Sequence, residues 1–250
     1  MTPQGSISKK IRVRLNGATH GMFITGEIPG KPVLLFVHGG PGMPEYWLTR
    51  RFPVHLDELY TVVWWEQRGS GLSYEPGISA KEMTAERFVA DTLAVSNHLR
   101  ERFGQEKIYL MAHSWESYIG LQAAAQGPEL YHAYIGVAQI THQIESETLA
   151  YEYMLQRYRE LAKTRMVRRL ERALVNSRTI PLPASYNAVR DRAMHRLGIG
   201  TTRDMRSVVT GLFFPSWLFP EYTLREKVNL WRGKIFSRRS RCGTKCSQRM

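Results

Sequence analysis

The sequence predicts an α/β domain built on a doubly wound, mainly parallel sheet, with a helical insertion. Three observations carry that prediction. First, PVLLFV (32–37), TVVWW (61–65), IYLM (108–111) and YIGVA (134–138) are apolar runs too short for helices. Runs of that kind suit strands covered on both faces, as in parallel sheets. Second, segments with helical spacing lie between them, and strand–helix alternation argues for crossover units. Third, from about Thr141 to Glu226 the strand signals stop and long polar helical stretches take over. With 250 residues, 43% of them hydrophobic, the chain can bury a sizeable core.

The elements follow in order. Residues 11–28 predict a hairpin: Ile11, Val13 and Leu15 alternate, Asn16-Gly17 supplies a two-residue turn, and Met22, Phe23 and Ile24 return. The first buried strand follows Pro29-Gly30. Thr84 caps a helix whose apolar residues Phe88, Val95, Leu99 and Phe103 share a face, and Gly104 sits where a helix end favours positive φ. A second, Ala-rich helix spans 115–126 and ends at Gly127-Pro128. The insertion contains a helical stretch over 151–174 and a loop around Ile180–Pro183. The expected organisation is a core over 1–140, a helical insertion over 141–226 and a basic C-terminal tail over 227–250.

The formal charge is +13, yet eight Lys or Arg and no acid fall between Lys227 and Met250. The rest of the chain is therefore only mildly basic, and the tail has no interleaved aromatics beyond Trp231 and Phe236. No nucleic-acid partner is expected. No apolar run approaches the roughly 20 residues of a membrane span, and no apolar segment follows the N-terminal charges. Neither a membrane association nor a signal peptide is expected. Cys242 and Cys246 have no His or acid nearby, so neither a disulfide scaffold nor a zinc site is expected. These features point to a reducing, cytoplasmic setting.

Two segments carry chemistry. HGGPG (38–42) directly follows a buried strand, and a glycine-rich turn there lets backbone N–H groups approach a ligand atom. An ordinary strand-to-loop connection is equally compatible with it. In LMAHSWESY (110–118) a strand runs through a tight turn at Ser114 into a helix, the context in which a strained turn exposes a serine hydroxyl. Such a turn wants small residues two before and two after; Ala112 meets that demand and Glu116 does not.

With WWEQRGSGLSY (64–74) between them, these motifs resemble the α/β-hydrolase superfamily, most closely its prolyl aminopeptidase branch, over about residues 10–237. Glu66 stands where that branch has Asp, and Ala112 and Glu116 stand where it has glycines. The resemblance implies that Ser114 is the nucleophile and that the oxyanion hole comes from the Trp115 N–H with one from the Gly39-Gly40 turn. It implies that 141–226 is a cap shaping the substrate site. It also implies a serine hydrolase that releases N-terminal residues, often proline, from peptides without a metal or an organic cofactor. The substrate is then a small peptide or an ester, since the motifs do not separate peptidase from esterase. Serine at 114 argues against dehalogenases and epoxide hydrolases, which use Asp there.

Other residues have plainer readings. Glu66 and Arg68 fit a structural turn, and Asp191 with His195 an exposed helix pair. Glu145, Glu147 and Glu152 could hold a substrate ammonium, but solvated helix charges describe them better. The superfamily's acid and histidine follow the serine in chain order, whereas here no Asp or Glu follows Glu226 and no His follows His195. The expectation is a weak or inactive chain, with a non-catalytic peptide- or partner-binding role as the alternative. The composition changes abruptly after Ser237, as a shifted reading frame would produce, and the strand at 134–138 is expected to be an open, aggregation-prone edge.

Overall fold

In a computed structural model, residues 6–40, 42–176, 182–199, 205 and 207–240 are described. The described residues divide into two compact units, one within 6–140 and 220–240 and the other within 141–219.

The first unit is built on a six-stranded sheet. Strands β1 (Ile7–Leu15) and β2 (Ala18–Gly26) form the N-terminal hairpin. Asn16 and Gly17 take φ of 48° and 75°, the left-handed pair that a two-residue turn requires. β3 (Val33–Val37) and β4 (Thr61–Glu66) are buried at every position, which explains their unbroken apolar runs. β5 (Ile108–His113) and β6 (Tyr131–Val137) complete the order β1-β2-β4-β3-β5-β6. β3, β4, β5 and β6 pair in parallel, and the hairpin joins antiparallel through β2 and β4. β6 is an edge strand and carries the exposure of one, with His132, Ala133, Gly136 and Val137 open to solvent.

Helix α1 (Tyr46–Arg51) lies in the loop after β3, where Tyr46 stacks on Phe23 at 4.1 Å. α2 (Ala85–Phe103) starts at Thr84, whose hydroxyl accepts from the Arg87 N–H, and ends at Gly104 with φ 61°. Phe88, Val95 and Leu99 are buried as their spacing predicts. α3 (Glu116–Gln126) packs on β5 so closely that a Cβ on Gly120 would lie 2.6 Å from the Ala112 Cβ.

The second unit is helical among its described residues. α4 (Gln143–Glu160) and α5 (Thr164–Glu171) replace the single helix expected over 151–174. The chain breaks at Ala162, which takes φ 53°, and the Ala162 and Lys163 N–H groups turn back to Arg159 and Tyr158 carbonyls. α6 (Ala184–Arg196) follows, and Tyr151, Met154, Tyr158, Leu170, Tyr186 and Ala193 form a core. Beside it Arg190 reaches both oxygens of buried Glu147, at 2.7 and 2.5 Å, and Tyr186 donates to the same carboxylate at 2.9 Å. α7 (Phe214–Leu218) closes the described part of this unit.

α8 (Leu224–Arg239) belongs to the first unit, so the boundary falls at 219/220 and not after Glu226. The segment 227–239, assigned to the basic tail by its charge although it reads as amphipathic up to about Ser237, is the body of this helix. Thr223 and Glu226 form its capping box, and Glu226 is bound by Lys10 and Arg12 of β1 at 2.9 and 2.5 Å. Ile180 and Pro181 of the loop expected around 180–183 lie outside the described residues, as do both cysteines and the last ten positions.

Candidate active site

β3 and β5 are parallel neighbours with Val37 opposite Ala112, so the turns that follow them emerge side by side. That register brings the turn at Gly39 against Ser114 at the carboxyl ends of the strands, where ligands bind in open α/β sheets. A Cβ on Gly39 would lie 2.9 Å from the Ser114 Cβ and 3.1 Å from the His113 carbonyl oxygen, so only glycine permits the approach. Gly40 takes φ 141°, and a Cβ there would meet the Met43 nitrogen at 2.8 Å.

Ser114 takes φ 57°, a left-handed conformation that costs a non-glycine residue on the order of 1–2 kcal/mol. Its neighbours hold it there. The Ser114 N–H donates to Val137 O at 2.9 Å, which ties the turn to β6. The Ser117 hydroxyl donates to Ser114 O at 2.5 Å and accepts from the Ile140 N–H at 2.9 Å. Tyr134 then donates to Ser117 O at 2.7 Å. Strand, turn, helix and the loop after β6 are thus joined through one serine. Trp115 is buried edge-on to Phe88. The N–H groups of Gly40 and Trp115 make no hydrogen bond among the described residues.

Carboxylates shape the electrostatics. Glu45 Oε1 accepts from the Gly39 N–H and from His113 Nδ1, both at 2.8 Å. The bond from Glu45 raises the His113 pKa against the opposing effect of burial. Glu116 is fully buried, and neither of its carboxyl oxygens has a hydrogen-bond partner among the described residues. Burial, reinforced by the charge of Glu45, pushes its pKa well up, and the Lys234 ammonium, which donates to Gly40 O at 3.3 Å, opposes the rise. His38 is buried and neutral, its pKa lowered to about 4 by desolvation; its ring faces Gly39 O and the Ser70 hydroxyl.

The four residues singled out from the motifs, Gly39, Gly40, Ser114 and Trp115, therefore lie together. Gly39 differs from Gly40 and Trp115 because its N–H is already taken by Glu45. Glu66 and Arg68 occupy structural positions. Arg68 is buried in a two-bond pair with Asp91 of α2, at 2.7 and 2.9 Å. Glu66 accepts from the Leu72 N–H and from Tyr222, with its pKa raised to about 7 by burial. Glu147 is not a solvated charge, because Arg190 and Tyr186 enclose it, whereas Glu145 and Glu152 are exposed. Asp191 is exposed and pairs with Arg190, not with His195. Sequence reasoning missed Glu45, His113 and Lys234. A carboxylate seven residues after His38, in the same loop, was the available signal for the first.

Residues 32–182 match the family model described as "alpha/beta hydrolase fold", a span of more than half the chain. The chain belongs to the α/β-hydrolase family. It is 40% identical over 133 residues to "Probable aminopeptidase YbaC" of Bacillus subtilis (strain 168), covering 53% of this chain and 42% of that protein. It is 32% identical over 105 residues to "Epoxide hydrolase 1" of Caenorhabditis elegans, covering 40% of this chain and 23% of that one. The chain thus spans less than half the length of either relative. The solved structure of a proline iminopeptidase-related protein from Thermus thermophilus is 27% identical, with a TM-score of 0.49 over 58% of this chain and 50% of that one. As an α/β-hydrolase, the chain presents a strained serine between β5 and α3, with two backbone N–H groups in the turns beside it that are unengaged among the described residues. Among the described residues no helix is long and apolar enough to cross a membrane, and no cluster of three or more His, Cys, Asp or Glu could hold a metal.

Proposed function

We propose that the chain carries the nucleophile and oxyanion hole of a serine hydrolase of the aminopeptidase type, acting on short peptides with a free N-terminus, proline among the residues released. The observation that carries this reading is Ser114 held at φ 57°, with Gly39 packed against its Cβ. Only a strict backbone requirement keeps a non-glycine residue in that conformation. In this reading the Ser114 hydroxyl gives its proton to water as its oxygen attacks the scissile carbonyl carbon, and the carbonyl oxygen takes the negative charge. The intermediate collapses to an acyl-enzyme as the amine leaves with a proton from water; without a positioned base the step is slow. The Gly40 and Trp115 N–H groups receive that charge, an interaction worth about 10²–10³ in rate per donor. Gly39 contributes shape and not a donor, because its N–H is engaged by Glu45. The name of the Bacillus relative supports the peptidase class, and the serine at 114 supports a nucleophile that forms an acyl-enzyme.

A second reading rests on a specific observation. Glu45 places a carboxylate on the Gly39 turn where an oxyanion would form, and negative charge there opposes its formation. In that reading the site binds a peptide amine without turnover.

The purified chain, assayed with proline and alanine arylamides and with short acyl esters beside Ser114→Ala, separates the two. Arylamide turnover above the Ser114→Ala background supports the peptidase, and ester turnover alone supports an esterase. Equal silence of both proteins, with saturable binding of a short peptide, supports the second reading and overturns the first.

A further inference from the structure

The second unit holds a cavity of ≈ 580 Å³ at its α4–α5 corner, independent of the hydrolase reading. Five cationic side chains line it: Lys163, Arg165 and Arg169 around α5, and Arg192 and Arg196 from α6. No acidic residue lines it. None of the five makes an ion pair among the described residues. The acids of α5, α6 and the last turn of α4 are already committed: Glu171 to Arg159, Asp191 to Arg190, and Glu160 to Arg157. The wall is apolar. Tyr158 and Met166 are buried, Leu161 and Leu197 join them, and the Tyr158 hydroxyl is spent on Ala193 O at 2.8 Å.

The break at Ala162 creates this arrangement. Had residues 151–174 formed one helix, Lys163 and Arg165 would have continued along its axis; the left-handed residue instead turns α5 back beside α6. The sequence concentrates charge here as well, with seven Lys or Arg against two Glu between 157 and 172. Like charges gathered around one concavity without counter-ions focus a positive potential and attract anions. Guanidinium groups match phosphate oxygens with paired donors, and the volume falls in the range of small-molecule sites.

We propose that this cavity binds a small phosphorylated molecule that carries two or more phosphate charges and a ring or apolar body. The phosphates engage the five cations, and the body lies on Tyr158 and Leu197.

The test titrates the full chain with ATP and with inorganic pyrophosphate by calorimetry at about 0.15 M salt, beside Arg169→Gln/Arg192→Gln and a control, Arg102→Gln/Arg225→Gln. The control removes the same charge from exposed positions outside the cavity. Expected are one-to-one binding of ATP, weaker binding of pyrophosphate, a loss of about tenfold or more in the cavity variant, and a change of less than about twofold in the control. Protection of Arg169 and Arg192 from phenylglyoxal by ATP, read by mass spectrometry on the unaltered chain, gives the same answer if the cavity variant does not fold. Absence of saturable heat, equal loss in both variants, or unprotected arginines would overturn the proposal. So would displacement of ATP by a duplex oligonucleotide with no dependence on Arg169 and Arg192.

Discussion

Ser117 shows how one side chain fixes the geometry of another. Its hydroxyl bridges Ser114 O and the Ile140 N–H, so Ser117→Ala removes two hydrogen bonds from the turn that holds Ser114 at φ 57°. The variant should lose about 1–3 kcal/mol of stability, and reaction at Ser114 should slow further than that loss explains. Chemical denaturation beside labelling kinetics checks both. Glu116 makes the opposite case, a carboxyl buried without a partner. Burial raises its folded pKa above the unfolded value of 4.5, so the neutral form is favoured in the fold. The associated stability is present below about pH 4.5 and is lost as the pH rises. Glu116→Gln should therefore be more stable than the parent at pH 8, by about 1–3 kcal/mol, and the difference should shrink towards pH 4. Melting curves at both pH values decide it, and a difference independent of pH would refute the assignment. The serine was legible because strand, turn and helix patterns converge on it. Glu45 was not: nothing local says that the loop after HGGPG folds back to give one carboxylate oxygen both Gly39 and His113.

At the scale of elements, the hairpin and the buried strands were legible because their signals are local. Asn16-Gly17 supplies two left-handed residues, and VLLFV is apolar throughout because both of its faces are covered. The break between α4 and α5 was not legible, since Leu161-Ala162-Lys163 contains neither glycine nor proline and packing overrides propensity there. α8 was legible as an amphipathic segment, but its docking to the sheet depends on ion pairs 216 and 214 positions apart along the chain, a separation no pattern reports. Burial alone would raise the Glu226 pKa; the Thr223 N–H, Lys10 and Arg12 outweigh it and bring the value down to about 2. A depressed pKa means stability that is present above 4.5 and lost as the pH falls towards 2. Glu226→Gln, which can keep the capping box, should lose about 1–2 kcal/mol at pH 7 and almost nothing at pH 2. A loss that persists at pH 2 would show that the cap, and not the charge, holds α8. Gly120→Ala tests the crossing of α3 over β5: the added methyl meets the Ala112 Cβ at 2.6 Å and a Tyr134 ring carbon at 2.9 Å. Overpacking of this kind costs about 1–3 kcal/mol, read from the denaturation midpoint.

For the molecule as a whole, the sheet order puts β6 at an edge, where no described strand pairs with its outer N–H and C=O groups and they can template another strand. The 250-residue chain should therefore associate with increasing concentration, and a charged residue at Val137 should reduce that association in light scattering. A monodisperse parent chain at every concentration would contradict this. The central claim concerns how the first unit uses its sheet: parallel β3 and β5 bring a glycine-rich turn and a strained serine together so that Ser114 reacts as a nucleophile. The most direct measurement is covalent labelling of the chain with a fluorophosphonate probe, with the modified residue located by mass spectrometry. Ser114→Ala and Glu116→Gly are run in parallel. The account predicts label on Ser114, none in Ser114→Ala, and faster labelling in Glu116→Gly, which restores the small residue that the turn wants two positions after the serine. Label absent from Ser114 in both the parent and Glu116→Gly, with the fold intact by circular dichroism, would contradict it.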